Sequence, residues 1–169
     1  MRLTAQVTGS RWIPERPMKP SLLLRIASIL TLLFAAGHTS GGLSSWSPAG
    51  ETEVLRAMRT FHFDAAGVSR SYLDFYLGFG FILSVFMLLQ AVVLWQLATL
   101  AKTDAARVRP MIGSFLVATI VSTALDWRFI FVVPVVCSAA IAVFLGLAFY
   151  AAGIPHPGPP HKGEREVEY

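Results

Sequence analysis

The chain has 169 residues, a formal net charge of +4, 54% hydrophobic residues and only 14% charged ones. Soluble domains carry about 25% charged residues, so this balance excludes an ordinary soluble enzyme and a disordered regulator. Its Lys and Arg residues form short clusters beside apolar runs, which argues for membrane flanks and against nucleic acid as a partner.

A bilayer core about 30 Å thick needs roughly 20 apolar helical residues, and the sequence offers four such runs. Residues 1–20 form a basic amino-terminal segment, expected in the cytoplasm. The first span covers about 21–39, with Arg25 near enough to its start to snorkel to the surface. The basic start followed by Ala35-Ala36-Gly37 also fits a cleaved signal peptide, and more closely if Met18 is the true start. Either reading leaves the later spans unchanged. The link from His38 to Ser71 contains a helix-start signal at Ser47-Pro48. Val54, Leu55, Met58 and Phe61 then recur on one side of a short amphipathic helix over about 51–63, expected along the outer surface. Gly67 reads as a stop, and Ser69 or Ser71 as a cap for the next helix.

The second span covers 72–100 and the third 111–125. A tight turn at Asp126-Trp127-Arg128 leads into the fourth, over 129–152, where Pro134 falls in tolerant first turns. Cys137, the single cysteine, excludes an internal disulfide and reads as a small buried apolar group. Residues 153–169 are rich in proline and charge and read as a disordered cytoplasmic tail with solvated histidines.

Charge orients the set. Arg2, Arg11, Arg16, Lys19, Lys102, Arg107, Arg109, Lys162 and Arg165 fall on one side, against Arg56, Arg59, Arg70 and Arg128 on the other. The positive-inside rule then places both termini in the cytoplasm of a multi-pass cell-membrane protein, in a bacterium the inner membrane. Trp46, Tyr72, Tyr76 and Trp127 mark the outer interface, and Trp95 and Tyr150 the inner one. Small residues at four-residue spacing give each span a packing ridge: Ala27, Thr31, Ala35 and Thr39; Gly80 and Ser84; Ser114, Ala118 and Ser122, continued by Asp126; Ser138, Ala142 and Gly146. The expected fold is an all-α membrane protein, a four-transmembrane antiparallel helix bundle with a short extracytoplasmic amphipathic helix.

Ionisable residues inside a membrane are expensive and are often functional. His38 ends span one, Asp74 opens span two and Asp126 ends span three, all near the outer rim. Arg59 lies close by in the chain, and Gly78 shares a helix face with Asp74 and leaves room beside it. His38, Arg59, Asp74, Gly78 and Asp126 are therefore the candidate pocket, with the 51–63 helix as its cover. Plainer roles compete: Asp126 pairs with Arg128, Asp74 with Arg70, His38 sits in interfacial water, and Gln90 bonds a neighbouring helix. No Walker-type loop, His-Glu-x-x-His or Gly-x-Ser-x-Gly occurs, so no cofactor and no metal is expected.

The GHTSGG stretch at 37–42, Met58-Arg59 and the run from Gly67 to Gly80 resemble an uncharacterised family of small bacterial four-helix membrane proteins. The resemblance covers roughly 20–150 and implies the architecture above without an activity. The layout is also loosely similar to DoxX-like proteins and to the sterol-isomerase-like group, a fold-level likeness that assigns no role.

Three functions stay open. The first is an integral membrane protein that binds a lipophilic small molecule, with a polar or cationic head, in a pocket at the outer end. The second is a membrane-embedded enzyme using His38 with Asp74 or Asp126 for acid/base chemistry. The third is a structural or accessory subunit of a membrane complex, partnered by another membrane protein or a further copy of itself.

Overall fold

The structure is a computed structural model that describes residues 18–47 and 49–154. The basic segment before Met18, Pro48 of the helix-start signal and the tail from 155 onward lie outside the described residues. Helix α1 spans Pro20–Gly42, α2 Glu53–Thr60, α3 Tyr72–Leu100, α4 Ala105–Phe129 and α5 Val132–Ala152; strands β1 (His62–Ala65) and β2 (Val68–Ser71) lie between α2 and α3. Helices α1, α3, α4 and α5 are each long and apolar enough to cross a membrane.

Several boundaries differ from expectation: α1 runs on to Gly42, and α5 begins at Val132 and not at 129. The third span is expected over 111–125, but α4 begins at Ala105 because Asp104 caps it, its side chain accepting from the Arg107 N–H at 3.0 Å. Pro110 therefore falls in the second turn and removes a single helical hydrogen bond. The turn expected at Asp126-Trp127-Arg128 is instead the last helical turn of α4, and the chain reverses through extended Ile130 and Phe131. Pro134 then sits in the first turn of α5, where a missing N–H has no consequence.

The link before α3 also holds more than a helix. Thr52 caps α2 by accepting from the Leu55 N–H, Leu55 is its buried residue, and α2 rests on α3 and β2. Phe61 leaves the helix in extended form, so the helix expected to reach 63 stops three residues earlier. The chain then forms an antiparallel hairpin pairing His62 with Ser71 and Ala65 with Val68. Ala66 (φ 49°) and Gly67 (φ 80°) form its two-residue loop, both left-handed, as a type I′ turn demands. Ala66 is the mismatched partner there, since alanine is penalised in this region. Ala66→Asn is expected to stabilise the hairpin by up to about 1 kcal/mol, and Gly67→Ala to weaken it by about 1–2 kcal/mol. Amide hydrogen exchange across residues 62–71 in detergent checks both signs; equal protection in the two variants contradicts the turn assignment.

Ser71 ends the hairpin and caps α3. Its hydroxyl accepts from the Asp74 N–H at 3.0 Å, and its own N–H donates to Asp74 Oδ2 at 2.9 Å, forming a capping box. An aromatic chain continues from the hairpin onto α3: Phe61 and Phe63 pack on Tyr72, Phe63 on Phe75, and Phe75 edge-on against Phe79.

Packing is uneven along the helices. Leu23, Leu24 and Ala27 near the start of α1 meet Leu94, Leu97 and Ala98 near the end of α3. Val108 and Ile112 of α4, with Leu145 and Ala148 of α5, complete this core. All of it lies toward the end where α3 passes into α4. Ser28 donates to the Ala91 carbonyl at 2.7 Å, joining α1 to α3; such bonds contribute about 0.6 kcal/mol in membranes. Helix α1 packs along α3 and α5, and α5 along α4, whereas α3 and α4 scarcely touch. The four helices are thus closed at one end and parted between α3 and α4 toward the other.

Candidate functional site

At the parted end, the GHTSGG stretch has a definite structural use. Trp46, held with Ser45 at positive φ just beyond α1, folds its indole back between α1 and α3. Its Nε1 donates to the His38 carbonyl at 2.8 Å, and its ring stacks on the His38 imidazole with centroids 5.0 Å apart. The indole occupies space left by glycines: a Cβ on Gly42 would come within 2.8 Å of it, and a methyl group on Gly80 would overlap it. Phe81 and Tyr76 of α3 close the nest, with centroids 5.1 and 6.0 Å from the indole. His38 completes the junction through a 3.2 Å hydrogen bond between Nε2 and the Gly80 carbonyl. A carbonyl only accepts, so Nε2 carries a proton and donates it.

Two cavities flank this junction. One, of about 450 Å³, lies between α1 and α5 and is bounded by Leu33, Gly37, Trp46, Val136 and Cys137. The other, of about 370 Å³, lies among α1, α3, α4 and α5. Phe34, His38 and Pro134 belong to the walls of both. Cys137 is half-buried on the first cavity and not enclosed in the core.

The second cavity holds the polar groups. Thr31 and His38 come from α1, Gln90 from α3, Thr119, Ser122 and Asp126 from α4, and Ser138 from α5. Some of their hydrogens are committed: Thr31 donates to the Ala27 carbonyl at 2.8 Å and Thr119 to that of Phe115 at 2.7 Å. Ser138 donates toward the Pro134 carbonyl at 2.8 Å and toward Asp126 Oδ2 at 3.0 Å. Asp126, half-buried, therefore keeps carboxyl lone pairs free for a guest. The pocket is an apolar chamber whose polar wall offers the Asp126 carboxyl oxygens as acceptors, beside the hydroxyl of Ser122 and the amide of Gln90.

His38 and Asp126 line this one cavity, and the other candidate residues do not. Asp74 is committed to the α3 cap, and no ion pair joins it to Arg70. Gly78 is exposed, with nothing within 4 Å of where a Cβ would stand. Arg59 pairs at 3.2 Å with Glu51 on the surface, the single salt bridge among the described residues. Asp126 accepts from Ser138 and makes no ion pair with Arg128, whose guanidinium lies over the Phe129 ring, 5.1 Å from its centroid. No residue of α2 borders either cavity. The ridge at Ser114, Ala118 and Ser122 is exposed, and Ala118 and Ser122 border the second cavity, so that row faces open space and not the neighbouring helix that its spacing suggests.

Trp46, Ser138 and the Phe34–Pro134 wall are not evident from the sequence. The signal for the first is a tryptophan a few residues from Gly41-Gly42, with a further glycine pair at Gly78 and Gly80. No group of three His, Cys, Asp or Glu side chains converges among the described residues. No family model, no curated protein and no solved structure matches the chain.

Proposed function

We propose that this is an integral membrane protein that binds a lipophilic small molecule whose polar head donates hydrogen bonds, as a hydroxyl or an amine does. The carrying observation is the 370 Å³ cavity, apolar on most sides, with the Asp126 carboxyl group at one face. Pockets of this size and character suit small ligands. The parting between α3 and α4, both of which line the cavity, supports entry sideways from the bilayer.

In this reading the spans form an antiparallel four-helix bundle of the small bacterial family that residues 37–80 resemble. Both termini lie in the cytoplasm of an inner-membrane protein, and the amphipathic α2 lies along the outer surface. The test is thermal unfolding of the detergent-purified full chain with long-chain alcohols and amines, against methyl ethers of the same chain length. Saturating a site a hundredfold above Kd adds about 2.7 kcal/mol, a shift of roughly 5–10 °C for a chain of this size. Donor heads should produce it and ethers should not. Equal shifts, or none, would sink the proposal.

A second reading rests on the meeting of His38 and Asp126 at one cavity. An imidazole and a carboxyl group at one cavity are the components of an acid/base pair for a bilayer-dissolved substrate. Turnover of a donor-headed ligand, lost in His38→Gln, would favour catalysis over simple binding.

A further inference from the structure

The end of the molecule remote from the cavities carries a second feature. Arg25 lies in the second turn of α1, inside a membrane-spanning helix. Its guanidinium sits over the Trp95 ring of α3, 5.0 Å from the centroid. Its Nε is buried and has no hydrogen-bond partner, and no acidic side chain pairs with it among the described residues. Asp104, the acid of that end among those residues, is occupied in capping α4. Arg109 shows the contrast: at the same end, its Nε donates to the Phe149 carbonyl at 3.3 Å and its guanidinium stacks on the Phe149 ring.

A guanidinium in a membrane without an anion is expensive, and its planar fork matches phosphate oxygens in a two-point bond. Trp95 is 46% exposed, so Arg25 and Trp95 together reach the lipid side of the α1–α3 seam. A half-exposed tryptophan is what the headgroup level of a bilayer selects. Ile29, four residues beyond Arg25, and Val92, three before Trp95, are both exposed and carry this stripe deeper along the same faces. Lys19, Lys102 and Arg107 flank the same end and favour a net-negative headgroup.

We propose that Arg25 and Trp95 form a binding site for the phosphate of an anionic phospholipid, with its acyl chain along Ile29 and Val92. The site is separate from the cavity and does not depend on it.

The experiment is native mass spectrometry of the full chain in detergent, titrated with phosphatidylglycerol or with phosphatidylcholine of identical chains. The expected result is tighter binding of phosphatidylglycerol, a preference that Arg25→Gln reduces about fivefold, the effect of one basic residue at a charged membrane surface. Arg25→Lys should keep part of it, because the charge stays and the fork is lost. Arg128→Gln, which removes a basic group that lines neither cavity, should leave it unchanged. Equal binding of the two lipids by the native chain overturns the site, as does an undiminished preference in Arg25→Gln. Displacement of the lipid by millimolar inorganic phosphate also overturns it, by reassigning the pocket to a soluble anion. Should Arg25→Gln fail to fold, the preference of the native chain and its retention in Arg25→Lys decide the matter.

Discussion

Gly80→Ala is expected to destabilise the protein by about 1–3 kcal/mol, the usual result of forcing a methyl group into filled space. Gly78→Ala, two residues away on the same helix, is expected to be neutral or to stabilise by up to about 1 kcal/mol, since alanine is the better helix former. The opposite signs follow from what each position faces. A Cβ at Gly80 meets the Trp46 indole, whereas a Cβ at Gly78 meets nothing within 4 Å. The Gly80 carbonyl also accepts from His38 Nε2 at 3.2 Å and from Ser84 Oγ at 3.3 Å, so displacing α3 there strains three contacts together. Thermal unfolding in detergent followed by tryptophan fluorescence reads both variants. Trp46→Phe combined with Gly80→Ala should recover part of the loss, because the smaller ring vacates the contested volume. Equal effects of the two alanine substitutions would mean that the indole does not fill that slot.

Asp126→Asn is expected to separate stability from binding. The empty protein should melt at the same temperature or higher, since an ionisable group is removed from apolar surroundings. Ser138 keeps the Pro134 carbonyl as a partner, and the asparagine oxygen can still accept from it. Stabilisation by donor-headed lipophiles should nevertheless fall at least tenfold in apparent affinity, the effect of about 1.4 kcal/mol lost from the bond to the carboxyl group. Ligand titration by thermal shift measures the second effect and unliganded melting the first. If the variant melts lower and binds equally well, Asp126 is a structural hairpin residue and not the head-group partner.

The four spans are legible in the chain because lipid imposes one rule: a helix must be apolar for about 20 residues. Local chemistry offers Ser69 or Ser71 as the cap, and the capping box with Asp74 decides for Ser71. Local signals mislead at the start of the third span, expected at 111, and at Asp126-Trp127-Arg128, expected as a turn. Asp104 capping and the backbone's preference for completing α4 carry the helix past both. The hairpin at 62–71 leaves little trace in the sequence because each strand has only four residues, and Ala66 lacks the usual asparagine or glycine signature of its turn.

The candidate site divides along the same line. Composition and periodicity establish a membrane-crossing helical protein with titratable groups toward one rim, because hydropathy and charge are properties of the chain itself. Which of those groups meet is a property of packing. Asp74 is consumed by its own helix terminus and Arg59 by Glu51, while His38 and Asp126, from helices far apart in the chain, come to one chamber. Their convergence requires Trp46 to settle among glycines of two helices and α3 to stand away from α4, and no local spacing encodes either arrangement.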